Sequence, residues 1–130
     1  QMCRELVPAM QERGWGRVIA ITSSTVREPS PVLIPSTTAR AGLTGFLKTM
    51  ATEVAPDGVT VNSVQPGPHA TARLAEIYDD LEAVAASVPV RRLGDPDDFG
   101  RVVAFLCSES ARSITGAALP VEGGSLRAIQ

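Results

Sequence analysis

Apolar residues recur at helical spacing at the start of the chain, and a short unbroken apolar run follows them. The first pattern extends from Met2 to Met10 and predicts a helix that ends near Gly14. Residues 18–21 form the apolar run, as a parallel strand covered on both faces requires. Four hydroxyl residues at 22–25 follow directly. The predicted strand therefore ends in hydroxyls, at the end where open α/β sheets bind ligands.

The prolines at positions 29, 31 and 35 indicate an ordered loop without regular helix. Beyond them, one apolar stripe predicts a helix over residues 37–55, with Gly42 and Gly45 inside it. Because glycine weakens a helix, two explanations are open for these positions: close approach of another backbone or a ligand, or simple tolerance. The stripe consists of Leu43, Phe46, Leu47, Met50 and Val54.

Strand and helix patterns continue to alternate in the second half of the chain. Residues 59–64 are rich in β-branched side chains and predict a second strand. Residues 73–87 predict an amphipathic helix, which we interpret as a mobile cover. Asp95 and the proline after it predict a helix start, and residues 117–121 predict a third strand. This order predicts an α/β fold with half of a doubly wound parallel sheet.

Composition and charge narrow the class of protein. The 130 residues are 44% hydrophobic and 20% charged, which is enough for one globular unit with a core, or for part of one. A net charge of -2 and the lack of a basic block argue against nucleic acid or an anionic membrane surface as a partner. No apolar stretch is long enough to span a membrane, and no signal-peptide layout is visible. We therefore expect a soluble, cytoplasmic protein.

The metal-binding and nucleophilic residue types are sparse. Cys3 and Cys107 lie far apart without zinc-site or disulfide spacing, so both are expected to be free, mostly buried thiols. His69 is the only histidine, so a histidine metal cluster cannot be built and a catalytic triad would have one possible base. No metal site is predicted.

Four segments of the chain occur in a characteristic order and spacing: GRVIAITSS at 16–24, ARAGLTGFLKTMATEVAPDGVTVNSVQPG at 39–67, VPVRRLGDPDDF at 88–99 and SITGAALPVEGG at 113–124. Together they resemble the carboxyl-terminal half of a short-chain dehydrogenase/reductase. The resemblance implies a Rossmann-type sheet, a nicotinamide cofactor (NAD or NADP), and hydride exchange with a small carbonyl or alcohol substrate. It also implies that residues 1–130 form one unit, the C-terminal part of an NAD(P)-binding domain whose glycine-rich N-terminal half is not in this chain.

The resemblance assigns roles to individual residues. Ser24, the second serine after the first strand, takes the place of the family's serine that hydrogen-bonds the substrate carbonyl oxygen, and Ser23 is its neighbour. The other interpretation is that the hydroxyl cluster only caps the strand end. Pro66, Gly67 and Thr71 match the turn and the threonine that line the nicotinamide side.

Ser36 and Arg40 stand where the family has its catalytic tyrosine and lysine. A serine hydroxyl is a far weaker acid than a phenol, whose pKa of about 10 can be lowered by a nearby cation. Arg40 can still hydrogen-bond ribose hydroxyls, or it is an ordinary solvated charge on a helix. His69 or Tyr78 could then replace the family's tyrosine as the acid that protonates the substrate. The other interpretation is that His69 is an ordinary loop histidine and Tyr78 a packed side chain.

Two hypotheses about function follow from this departure. In the first, the full-length protein is an NAD(P)-dependent oxidoreductase with a non-standard site formed by Ser24, Ser36 and Arg40. In the second, it is a dehydrogenase-like protein that binds cofactor or a partner without turnover. The first predicted helix and the helix at 37–55 resemble those that pair subunits in the family, so we expect the full-length protein to be a homo-oligomer.

The isolated 130-residue chain is expected to be inactive and not to bind NAD or NADP measurably. The glycine-rich turn that holds pyrophosphate, and the residue that selects between the two cofactors, belong to the first half of such a fold. Isothermal titration calorimetry of this chain with each cofactor checks the expectation. Binding with a micromolar dissociation constant would contradict it.

Overall fold

The computed structural model describes residues 1–129, which form a three-stranded parallel sheet with helices on both faces. This confirms the predicted fold class. The strands are β1 (Gly16–Ile21), β2 (Val59–Pro66) and β3 (Ala118–Val121), and the helices are α1 (Met2–Glu12), α2 (Ile34–Val54), α3 (Ala72–Ile77), α4 (Leu81–Ser87) and α5 (Pro96–Cys107). Short 3₁₀ turns lie at Ser24–Val26, Pro31–Leu33, Ala55–Asp57 and Glu109–Ala111.

The three strands lie in the order β1-β2-β3, and each pair is parallel. Gly16 is opposite Val59 and Ile21 is opposite Val64. Because the strands are parallel and in this register, their carboxyl ends lie at the same edge of the sheet.

Alternate residues of β2 face two separate apolar clusters. On one face, Val59 and Val61 pack with Leu47 and Met50 of α2 and with Val7 of α1. On the other face, the buried members are Val64, Leu106 of α5 and Ala111. This strand lies between the other two, and every β2 residue from 59 to 65 is buried, although four of them are polar: Thr60, Asn62, Ser63 and Gln65.

The long helix α2 begins three residues earlier than predicted, at Ile34 rather than residue 37. The prediction of non-helical structure through Pro35 was wrong because this proline lies in the first turn of the helix. There, the missing N–H has no intrahelical partner to lose, and the fixed φ angle suits the helix. Ser36 is consequently placed in the first turn of α2.

The segment predicted as one cover helix at 73–87 forms two short helices, α3 and α4. The prediction of a single continuous helix was therefore wrong. The chain leaves helical geometry at Tyr78, whose φ and ψ angles are -128° and 127°. Asp80 then caps α4 by accepting a hydrogen bond of 2.9 Å from the Ala83 backbone N–H. This aspartate is an N-cap signal that the apolar stripe concealed.

Part of the apolar stripe of α2 lies on the surface. Leu47 and Met50 are buried, whereas the exposed fractions of Leu43 and Phe46 are 38% and 52%. A Cβ atom added at Gly42 or Gly45 would meet nothing within 4 Å among the described residues. No close approach within residues 1–129 explains either glycine.

Two other expectations concern the cysteines and the membrane. Both cysteines are free, but only Cys3 is partly buried, and Cys107 is exposed at the end of α5. The expectation that both thiols are buried was therefore wrong for Cys107.

Among the helices of residues 1–129, none has the length and apolar character needed to cross a membrane.

Candidate functional site at the carboxyl edge of the sheet

The ends of β1 and β2 stay paired past the strands themselves. The Thr22 backbone N–H donates a 2.9 Å hydrogen bond to the carbonyl of Val64, and the Thr22 side chain is buried. The residues that follow Thr22 are therefore held beside Gln65 and Pro66 at the carboxyl edge. This is the edge at which α/β sheets bind ligands.

Ser23 is held by two hydrogen bonds at its hydroxyl oxygen. Its Oγ accepts from the backbone N–H of Thr25 at 3.2 Å and from the Thr25 Oγ1 at 2.9 Å. Thr37, in the first turns of α2, donates to the Thr25 Oγ1 at 3.0 Å. These three side chains therefore connect the end of β1 to the start of α2.

Ser24 is placed differently from its neighbour. It opens a 3₁₀ turn, and its backbone carbonyl accepts from the N–H groups of Arg27 at 2.9 Å and Glu28 at 3.2 Å. Its hydroxyl makes no hydrogen bond to any other group of residues 1–129. The role predicted for Ser24 stays a prediction, and the contacts toward α2 favour Ser23.

Ser36 and Arg40 lie one turn apart on α2 and contact each other. The Arg40 guanidinium donates a hydrogen bond to the Ser36 Oγ, and both residues are half-buried. The Arg40 carbonyl also accepts a 2.8 Å hydrogen bond from the Thr44 hydroxyl. The Arg40 side chain is thus hydrogen-bonded to a residue of its own helix.

The turn after β2 packs against the end of β3. The Gly67 N–H donates to the Val121 carbonyl at 3.0 Å, and a Cβ atom at Gly67 would lie 2.6 Å from the Glu122 Cβ. Packing against Glu122 is therefore enough to require glycine at this position. Thr71 begins α3 and accepts a 3.3 Å hydrogen bond from the Leu74 N–H, which leaves its hydroxyl hydrogen for another acceptor.

His69 is packed rather than presented at the edge with the hydroxyls. Its Nδ1 lies 3.0 Å from the Gly67 carbonyl, and its ring meets Phe99 of α5 edge to face at 5.1 Å between centroids. A Cβ atom at Gly94 would lie 2.5 Å from the imidazole ring. These contacts favour the interpretation of His69 as a loop histidine that packs on α5.

Tyr78 lies at the carboxyl end of α3, where the chain leaves the helix, and its exposed fraction is 38%. Among residues 1–129, its hydroxyl is not hydrogen-bonded to any of the predicted site residues. The structure gives no contact that favours Tyr78 as a substitute acid.

Two pairs of residues at this edge escaped the sequence analysis. Thr25 was seen only as a member of the hydroxyl run and Thr37 only as the start of a predicted helix, because their contact depends on how α2 returns to the sheet. Arg27 donates to the side-chain oxygen of Gln65 at 2.7 Å and to the Ala118 carbonyl at 2.7 Å. A glutamine among β-branched residues, 1% exposed, was the signal for this second contact.

The donors at this edge fit the ribose and nicotinamide end of a dinucleotide. Within residues 1–129, the guanidinium of Arg40 donates only to Ser36, so several of its N–H groups remain for ribose hydroxyls. The hydroxyl hydrogens of Ser23 and Thr71 are also uncommitted, since both oxygens act as acceptors. By contrast, no group of three or more His, Cys, Asp and Glu side chains in residues 1–129 could hold a metal ion.

Comparison with known proteins identifies the family. A family profile described as Enoyl-(Acyl carrier protein) reductase matches residues 1–125, nearly the whole chain. The chain belongs to this family of short-chain dehydrogenases/reductases. The resemblance of the four segments is thereby confirmed.

Several curated relatives match this short-chain dehydrogenase/reductase chain over almost its full length. Nodulation protein G of Azospirillum brasilense is 41% identical over 122 residues, covering 93% of this chain and 50% of the relative. Acetoacetyl-CoA reductase of Cupriavidus necator is 39% identical with the same coverage of 93% and 50%. Human dehydrogenase/reductase SDR family member 4 is 37% identical over 127 residues, covering 95% and 46%. The chain thus spans about half the length of the curated relatives it matches.

Solved structures of the family show the same fold. The structure described as YwfH, an NADPH dependent reductase involved in bacilysin biosynthesis, has a TM-score of 0.92 at 28% identity. This chain covers 53% of it, while 98% of this chain is matched. Acetoin dehydrogenase YohF from Salmonella typhimurium has a TM-score of 0.83 at 34% identity, with 98% of this chain and 50% of that chain covered.

Proposed function

We propose that the full-length protein is an NAD(P)(H)-dependent oxidoreductase that interconverts a small carbonyl compound and its alcohol. Ser23 supplies the hydroxyl that hydrogen-bonds the substrate oxygen. The observation that carries this proposal is the hydrogen bonding of Ser23: its oxygen accepts twice from Thr25, so its own hydrogen is left for a third group. A donor fixed in this way, at the ligand-binding edge, suits a carbonyl oxygen on which negative charge develops.

The residues of this chain would hold the nicotinamide half of the cofactor. Arg40 would bond ribose hydroxyls, and the turn at Pro66 and Gly67 with the Thr71 hydroxyl would line the nicotinamide side. When bound, the cofactor supplies or accepts hydride. Relatives include a structure described as an NADPH dependent reductase, which supports NADP or NAD without choosing between them for this chain.

A second candidate function rests on Ser36. In the family resemblance this position carries a phenol, whereas here a short hydroxyl is held by the guanidinium of Arg40 on the same helix. If no other group protonates the substrate oxygen, the protein binds cofactor or a partner without turnover. The two functions differ in a single measurable property, turnover of a carbonyl or alcohol by the cofactor-bound protein.

Replacing the two neighbouring serines separately tests the proposal. In the full-length protein, Ser23→Ala should lower kcat/KM by about 10²- to 10³-fold, as loss of one positioned donor to a developing oxyanion does. Ser24→Ala is the matched control and should leave turnover nearly unchanged, because its hydroxyl contacts nothing else within residues 1–129. The measurement is the absorbance of reduced nicotinamide across a panel of small carbonyls and alcohols.

If only Ser24→Ala lost turnover, Ser24 would be the serine that hydrogen-bonds the substrate oxygen, as predicted from the sequence. Saturable binding of reduced cofactor without turnover of any compound in the panel would instead support the second candidate function. Equal activity in both variants and the parent would contradict a catalytic role for either serine.

We further propose that the full-length protein is a homo-oligomer that pairs through α1 and α2. The exposed fractions of Met2 and Leu6 on α1 are 72% and 52%, and Leu43 and Phe46 on α2 are also exposed. Contiguous exposed apolar side chains of this kind mark protein–protein surfaces. The open space beside Gly42 and Gly45 allows another backbone to approach α2 closely.

A charge at Phe46 should dissociate the oligomer. In the full-length protein, Phe46→Glu places an unpaired carboxylate in the proposed interface, where its desolvation is unfavourable. Light scattering should show a smaller assembly for this variant. Val32→Glu, at an exposed apolar residue of the turn before α2, is the control and should keep the parent mass. A monomeric parent protein would contradict the proposal.

A further inference from the structure

Three hydroxyls form a continuous chain between α2 and the carboxyl end of β1. Thr37 Oγ1 donates to Thr25 Oγ1 at 3.0 Å, and Thr25 Oγ1 donates to Ser23 Oγ at 2.9 Å. Both distances are within the range of good O–H···O hydrogen bonds. All three residues are partly buried, neither fully enclosed nor fully open to solvent.

The hydrogen bonds of the three hydroxyls can all run in one direction. A hydroxyl has one hydrogen to donate and two lone pairs that accept. Ser23 accepts from both the backbone N–H and the hydroxyl of Thr25, so both its lone pairs are used. Thr25 accepts from Thr37 and gives its own hydrogen to Ser23. With these directions, each hydrogen in the chain points from α2 toward Ser23, and the hydrogen of Ser23 is left for a group outside the chain.

We infer that Thr25 and Thr37 are positioning residues that fix Ser23 as a donor and resupply its proton through the hydroxyl chain. The inference rests on the proposed function of this site. In the reducing direction, hydride forms the new C–H bond, and the carbonyl π electrons move to oxygen and bond the Ser23 proton. The Thr25 proton passes to Ser23, the Thr37 proton passes to Thr25, and a solvent proton replaces that of Thr37. One proton passes from solvent to the product alcohol.

Such a chain works without a strong acid. Each hydroxyl gives up one proton as it receives another, so none carries a full negative charge, and chains of this kind serve proton transfer in proteins. Ser36 is not part of the chain, because its oxygen is engaged by Arg40. Arg40 contributes positive charge beside the developing oxyanion and cannot itself give up a proton. The chain thus takes over the proton delivery that Ser36 cannot perform as a phenol would.

Replacing Thr25 by valine or by serine separates the role of its hydroxyl from the role of its packing. In the full-length protein, Thr25→Val should lower the single-turnover rate of carbonyl reduction by about 100-fold, the lower end of what a positioned proton-transfer group contributes. KM and the equilibrium affinity for reduced cofactor should not change. Thr25→Ser keeps the hydroxyl and should restore most of the rate. Thr37→Val should lower the rate less than Thr25→Val does, since water can replace the Thr37 hydroxyl beside Thr25.

Thr38→Val is the matched control. Thr38 follows Thr37 on α2, but its hydroxyl is exposed and donates to the Ile34 carbonyl of its own helix at 3.0 Å. Loss of this local bond should leave the rate unchanged. Rates in mixtures of H₂O and D₂O give a second measurement, which packing alone would not alter. The rate of the parent should depend on deuterium content along a curve, because several protons move in the same step. The rate of Thr25→Val should depend on deuterium content linearly.

The outcomes separate this inference from the proposed function. If the parent reduces no carbonyl, the proposed function is wrong, and the proton chain is excluded with it. If the parent is active and Thr25→Val keeps the rate and the curved dependence, the chain alone is wrong. A rate lost in Thr25→Val and not restored in Thr25→Ser would also overturn it, because packing would then explain the loss. A crystal structure of Thr25→Val should show Ser23 in a different rotamer, and an unchanged Ser23 would contradict its positioning by Thr25.

Discussion

The backbone hydrogen bonds that pair β1 with β2 in parallel register place the carboxyl ends of both strands at one edge. Ile21 lies opposite Val64, and the Thr22 N–H extends the pairing by one more bond to the Val64 carbonyl. If the register of β1 against β2 shifted by one residue, the side chains of Thr22 and Ser23 would each lie on the other face of the sheet. The hydroxyls, the turn after β2 and the start of α2 meet because this register is kept.

The proposed chemistry of the edge depends on connected hydroxyl groups. Two lone pairs of Ser23 are occupied by Thr25, and the oxygen of Ser36 is occupied by Arg40. The hydroxyl hydrogen of each serine is therefore left for another group. In the proposed function, the arrangement differs from a phenol beside a lysine, because proton supply depends on connected hydroxyls rather than on the acidity of one group.

Regular elements were predictable where one physical signal dominated. The apolar run at 18–21, the β-branched run at 59–64 and the Asp95 cap specify β1, β2 and α5 by local rules. Local rules failed where two signals competed. Pro35 suggested a loop but is favourable in the first turn of α2, and an apolar stripe concealed the Asp80 cap between α3 and α4.

The candidate site was predictable as a region and less so as a set of contacts. The end of β1, the start of α2 and the turn after β2 were all expected at the carboxyl edge. Which serine hydroxyl bonds toward α2 depends on the 3₁₀ turn at Ser24–Val26, and a run of four hydroxyl residues carries no signal for it. The contact of Thr37 with Thr25 joins residues 12 positions apart through a loop, and only the fold brings them together.

A structure of the full-length protein with reduced cofactor and a bound carbonyl compound tests the central claim most directly. The quantity to measure is the distance from each hydroxyl oxygen at the carboxyl edge to the carbonyl oxygen of the ligand. We predict that Ser23 Oγ lies at hydrogen-bond distance, about 2.7 Å, while its two bonds from Thr25 are kept. A carbonyl oxygen bound by Ser24, with Ser23 directed away from it, would contradict the account.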